Sequence, residues 1–428
     1  MCIVCIYSFK HGDEGPRFYE SYGHTFGHVS SVVNFNRTPL FCCQVARRFF
    51  AIPTENYADD YATPDFKIGP APDCGAAHAI SALHQMLGLK LAPEKHKPPA
   101  LVNTFLGVDC DLSHVQDDVP YVEFRPSPGR IARLLALMKS AAQFGLTSHG
   151  AQVLHGKLGF LLQAAWGRVA RAATQPLYSR AGKKPFVIPG KPSPPPEGTT
   201  WTPALIGMRS FLETLLACLP PLRIYLGTPK RGHIVVYSDA QYSPHGRKGL
   251  GVILADTATG ERHICGGLVP PDILDWVIGH RGDLQTQINQ CELLAVVAAV
   301  LTFSELLKDR DVVFWVDNTT ALAAAVHGYS AYPDLAALSN ALHLLLAGCR
   351  TRSYFMHVPG EANPADIPSR VPFVKNADGI YELHPNGLTR PGDRDTIATI
   401  AAVHRPMLVP TPNQLNKPAT FLQSGYGW

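Results

Sequence analysis

Residues 233–239, His233-Ile234-Val235-Val236-Tyr237-Ser238-Asp239, are a short apolar run that ends on an acid. A run of this length and composition predicts a buried strand. Lys248–Ala255 (KGLGVILA) and Arg262–Leu268 (RHICGGL) read as the next two strands, with a turn at Asp256–Gly260 (DTATG) between them. In Glu292–Leu307, Leu293, Val296, Val297, Val300, Leu301 and Ser304 recur at helical spacing, which predicts an amphipathic helix. Asp311–Val316 (DVVFWV) reads as a fourth strand that stops at Asp317. Leu335–Leu346 reads as a helix after Pro333, Ser353–Val358 (SYFMHV) as a fifth strand, and Asn363–Arg370 as a final helix or turn. The order β-β-β-α-β-α-α-β-α predicts a mixed sheet with helices packed on it.

Four carboxylates arrive from four of these elements. Asp239 sits on the first strand, Glu292 opens the long helix, Asp317 ends the fourth strand and Asp366 begins the last helix. Taken singly, an Asp at a strand end reads as a turn or cap residue. Taken together, in the contexts YSDA, QCEL, WVDN and NPAD, they point to shared chemistry. Carboxylates held close repel and raise one another's pKa, and divalent cations relieve that cost. Hard oxygen ligands without a Cys/His cluster favour Mg²⁺, or Mn²⁺, over zinc. Two such ions about 4 Å apart can activate a water and stabilise the leaving oxygen of a phosphodiester displacement.

Residues 233–372 resemble the ribonuclease H domain of retroelement polyproteins, with the four acidic motifs in that family's order. The resemblance implies that Asp239 bridges two metal ions, that Glu292 and Asp317 hold one and that Asp366 holds the other. It implies cleavage of the RNA strand of an RNA–DNA hybrid, leaving a 3′-hydroxyl and a 5′-phosphate. Many family members carry a histidine a few residues before the last Asp. Here that loop is Pro359-Gly360-Glu361-Ala362-Asn363, and His357 lies earlier, on the strand, where it reads as structural. Slow turnover is the expectation. Asn318 and Thr319 follow the third acid and read equally as contacts to a 2′-hydroxyl or phosphate of the hybrid and as helix-capping residues.

Upstream, Asn56-Tyr57-Ala58-Asp59-Asp60-Tyr61 places two acids where a tight hairpin would present them to a metal. It is preceded by Phe26-Gly27-His28 through Phe35-Asn36-Arg37. It is followed by Phe105-Leu106-Gly107, Gly156-Lys157-Leu158-Gly159-Phe160 and Trp166-Gly167-Arg168. Together these resemble the palm and thumb of a reverse transcriptase, in particular of retrotransposons of the tyrosine-recombinase-bearing (DIRS-like) kind, over about residues 1–372. The resemblance implies a polymerase site of which Phe26, Gly27, Tyr57, Asp59 and Asp60 are the remnant. The family needs a further metal-binding Asp on an earlier strand and a fingers subdomain. Asp13, in HGDEGP, reads as a hairpin turn, so the chain is expected to begin within the palm and not to polymerise alone.

The expected organisation is therefore α/β and α+β multidomain. A partial palm covers 1–112, thumb and connection helices 113–180, a Pro-rich linker and connection 181–232, the nuclease-like domain 233–372 and a mostly extended tail 373–428. Helical spacing of Ile131, Leu134, Leu135 and Met138 supports the second of these. The 428 residues carry 38 Lys+Arg against 34 Asp+Glu, a net +4, which excludes a strongly cationic coat but not a local basic groove. Lys139, Lys157, Arg168, Arg171 and Arg180 are candidate contacts or solvated helix faces. No run of 18 apolar residues suggests a spanning helix, and the apolar start lacks the basic region of a signal peptide. Cys2-x-x-Cys5 reads as two strand residues, and ten scattered cysteines suit a reducing compartment, nucleus or cytoplasm. Two other functional readings stand beside the nuclease: a decayed, non-catalytic nucleic-acid-binding fragment, and a full reverse transcriptase whose first part lies upstream of Met1.

Overall fold

The computed structural model describes residues 4–8, 17–21, 29–64, 75–182, 200–227, 232–281, 287–377, 381–400 and 402–423. Phe26, Gly27, His28, Cys2, Asp13 and most of the Pro-rich linker lie outside them. The architecture is mixed α/β with several separate sheets. The chain divides into two units, Met1–Phe105 and Leu106–Trp428.

In the first unit, Glu55–Tyr57 and Asp60–Ala62 pair antiparallel, with Tyr57 opposite Asp60. Ala58 takes a positive φ of 52° and Asp59 completes the turn, so the doublet does lie on a tight hairpin, and both acids are exposed. Helices Val29–Phe50 and Gly75–Met86 flank it in sequence.

In the second unit, helices Pro128–Phe144, Ser148–Trp166, Gln175–Arg180 and Pro203–Cys218 bury Leu134, Met138, Leu154, Leu158, Leu161, Leu212 and Leu215 in one cluster. Within the expected Pro-rich linker and connection, 181–232, residues 200–227 form the helix Pro203–Cys218, capped by the Thr202 side chain, and the strand Leu222–Tyr225, antiparallel to Tyr121–Pro126. Leu205, Met208, Leu212 and Leu215 have helical spacing, but the neighbouring proline-rich composition obscured it.

The principal sheet has six strands: β1 (Ile234–Tyr242), β2 (Lys248–Asp256), β3 (Arg262–Leu268), β4 (Asp311–Val316), β5 (Arg352–His357) and β6 (Val403–Pro406). Their order across the sheet is β5-β4-β1-β2-β3-β6. β1, β2 and β3 are an antiparallel meander, while β4 pairs in parallel with β1 and with β5. Around them run α1 (Pro271–Arg281), α2 (Ile288–Thr302), α3 (Thr319–His327), α4 (Pro333–Gly348) and α5 (Asp366–Arg370). The core joins Ile234, Val236, Val252, Leu254, Val296, Val300, Phe314, Leu342 and Leu345.

Three features differ from expectation. α2 is not amphipathic: every residue from Gln290 to Leu301 is buried, because β1 packs on one side of it and α4 on another. The run also stops at Thr302 and resumes as a short helix, Ser304–Leu307. The described residues between 373 and 423 are not an extended tail. They supply the hairpin Phe373–Lys375/Tyr381–Leu383, the helix Asp393–Ile400 and β6, which adds in parallel to β3. Leu415 and Phe421 from the same segment enter the main core. No helix among the described residues is long and apolar enough to cross a membrane.

Candidate metal centre

β1 carries Asp239 in mid-strand, opposite Gly251 of β2. α2 carries Glu292 one turn in, and β4 delivers Asp317 just past its last residue. One oxygen from each of these three side chains lies within 4.8 Å of the others. Among the described residues this is the one group of three such side chains close enough to share a cation. The doublet Asp59–Asp60 gathers no third acid among them.

The environment is unfavourable to bare carboxylates. Asp239 and Glu292 are buried. Burial, reinforced by the charges of Asp239 and Asp317, pushes Glu292 up to about 10. Burial also raises Asp239, to about 7, with help from Asp317 and Asp366 and against the Ser369 hydrogen bond. Glu292 Oε2 and Asp317 Oδ1 are buried and accept no hydrogen bond from any described residue. Two unpartnered, buried carboxylate oxygens facing a third carboxylate are a costly arrangement for a fold to keep. An all-oxygen donor set of this kind fits a hard divalent cation such as Mg²⁺ or Mn²⁺.

Asp366 is placed differently. Its charge reaches Asp239, but its Oδ2 accepts from Arg370 Nε and from Arg390 Nη1, both at 2.8 Å. It lies outside the close triad. α5, which bears it, rests on glycine: a Cβ at Gly251 would collide with Ser369 N and Ala365 O, and one at Gly249 with Ser369 O. These are backbone atoms that cannot rotate away, so the close approach requires glycine.

Residues that sequence reasoning missed complete the frame. Ser369, buried on α5, donates its hydroxyl to Asp239 Oδ2. Asn363, also buried, donates to Ser238 O at 2.9 Å and accepts from Ala365 N at 3.1 Å, tying the loop before α5 to β1. Ser369 stands three residues after Asp366, the spacing of one helix face, which is the signal that could have found it.

Asn318 is a helix cap. Its Oδ1 accepts from Thr320 N and Ala321 N at 3.0 and 2.9 Å, and its Nδ2 donates to Asn289 Oδ1 at 2.9 Å. Thr319, first in α3, is exposed. His357 on β5 is exposed, and its ring bonds the Asp317 carbonyl at 3.1 Å. Of the basic candidates, Lys139 and Lys157 are exposed, Arg171 donates to His327 O, and Arg180 is buried, donating to Leu146 O and Thr200 O, so it is structural.

No protein-family model matches the chain. No curated protein matches it either. Among solved structures, the RNase H1 of the halophilic archaeon Halobacterium salinarum NRC-1 is similar at 18% identity, over 31% of this chain and 91% of that one, with a TM-score of 0.25.

Proposed function

We propose that this chain is a ribonuclease H that cleaves the RNA strand of RNA–DNA hybrids with two Mg²⁺ ions, or Mn²⁺, held by Asp239, Glu292, Asp317 and Asp366. The observation that carries the reading is the close triad, with its two buried and unpartnered oxygens, on the first strand, the following long helix and the fourth strand of a mixed sheet. When bound, the ions would supply an activated water and charge stabilisation for the leaving oxygen. The chain supplies the rest. Ser369 orients Asp239 and opposes the rise in its pKa. Asn363 and the glycines under α5 fix the approach of the fourth acid. Asn318, spent on capping α3, fixes the loop that follows Asp317.

We read the chain as part of a retroelement polyprotein whose reverse-transcriptase portion is inactive in polymerisation. The exposed Asp59–Asp60 hairpin and the helices after residue 127 support that reading. The test uses the full chain on an end-labelled RNA–DNA hybrid with Mg²⁺, with Asp317→Asn as control and a primer-extension assay alongside. Metal-dependent cleavage lost in the control, without extension, is expected. Salt-dependent binding without cleavage would instead support the non-catalytic reading.

A further inference from the structure

Two arginines meet at Asp366 Oδ2, and they differ in kind. Arg370 lies one turn along α5 from Asp366, is mostly buried, and uses its other arm on Asp393 Oδ1 at 3.2 Å. It is part of the framework. Arg390 comes from the segment that follows the hairpin Phe373–Lys375/Tyr381–Leu383. Its side chain is 60% exposed and, among the described residues, makes one ion pair, to Asp366 at 2.8 Å. Its backbone N–H is anchored on Asp393 Oδ2 at 3.1 Å, so the side chain can leave while the segment stays.

We propose that Arg390 is a built-in competitor of the second cation: its guanidinium takes Asp366 in place of a metal ion, so the chain loads one ion readily and a second only when Arg390 is displaced. The inference rests on the metal-binding reading of the triad. It follows from charge and place. Asp239, Glu292 and Asp317 stand together with two oxygens free, ready for an ion. Asp366 has already been neutralised by a cation the chain itself supplies. A divalent ion that takes Asp366 Oδ2 must therefore break the Arg390 pair, and one that takes Oδ1 must bind against the guanidinium charge beside it. An exposed arginine held by one carboxylate is the one of the two pairs that yields. The arrangement gives the 384–406 segment control over the second ion, since moving its helix Asp393–Ile400 moves Asp393 and hence Arg390.

The test is a titration of the full chain with Mn²⁺ alone, counting bound ions by the electron paramagnetic resonance of the free ion, on wild type, Arg390→Gln and Arg390→Lys. The expected result for wild type is one tight ion and one weak one. Arg390→Gln should tighten the weak ion about fivefold, the scale of one exposed ion pair, and leave the tight ion unchanged. Arg390→Lys, which keeps the charge, should resemble wild type. Equal affinity for the second ion in all three proteins overturns the proposal and leaves the metal site standing. No bound Mn²⁺ in any of them overturns both.

Discussion

Replacing Glu292 with Gln should stabilise the metal-free protein, although it removes a proposed metal ligand. The carboxyl is raised from 4.5 to about 10, chiefly by burial and then by Asp239 and Asp317. A group raised in the fold contributes fully to stability below its unfolded pKa, and that contribution is lost as pH climbs toward the folded value. At pH 7 the unfolded chain has ionised Glu292 while the folded chain keeps it protonated, some 2.5 units from the unfolded pKa. At 1.36 kcal/mol per unit this costs the fold about 3 kcal/mol. Gln has no such cost, can still accept from Ala240 N, and can donate toward the oxygens of Asp239 or Asp317. With a chelator present, Glu292→Gln should be more stable than wild type near neutral pH by up to about 3 kcal/mol. The two should converge below about pH 4.5, where Glu is protonated in both states. Hydrogen exchange of β1 and β2 peptides under urea reads this region directly and avoids assuming that both units unfold together. Added Mg²⁺ should protect wild type and leave the variant unchanged. A variant less stable than wild type at pH 7 in chelator would refute the reasoning, as would a stability gap that is the same at pH 4 and pH 7.

Ser369→Ala should raise Asp239 further, because the lost hydrogen bond is the one that opposes the rise, so the acid limb of a cleavage pH profile should move to higher pH. An unmoved limb would remove Ser369 from the site. Gly251→Ala drives a Cβ into the backbone of α5 and should cost about 1–3 kcal/mol, measured by the same exchange protocol, with hybrid cleavage falling alongside. Asp59→Asn with Asp60→Asn, on an exposed hairpin, should change stability by less than about 0.5 kcal/mol and leave hybrid cleavage at the wild-type rate. His357→Ala should likewise be mild, within about 0.5 kcal/mol in stability, since the ring is exposed and bonds only a carbonyl among the described residues.

Strands β1 to β5 were legible because each is a short apolar run cut off by turn residues or an acid. The three close carboxylates were legible because each sits at a defined place on such an element. What escaped reading depends on distance along the chain. β6, Val-His-Arg-Pro, has no apolar pattern of its own and is a strand only because β3 offers it an edge, where its Pro406 is tolerated. The all-round burial of α2 is a property of β1 and α4 packing on it, which its own spacing could not convey. α1 went unread although Pro271 and Asp272 are ordinary helix-start residues. The pairing of Arg390 with Asp366 could not be foreseen, since Arg390 reaches it only after the strands Phe373–Lys375 and Tyr381–Leu383 have turned the chain back.

The addition of β6 also bears on where this unit ends. The four acidic motifs are complete by residue 370, and a fragment stopped there would hold every proposed ligand. It would also leave β3 with a bare row of peptide donors and acceptors along the stretch His263–Gly266, the rung that β6 now satisfies. Exposed strand edges of that kind invite pairing with other chains. The smallest piece that keeps this edge covered should therefore run through Pro406, and on to Phe421 to keep the core shut. Residues 402–423 act as a selvedge, finishing the sheet so that it does not unravel into its neighbours.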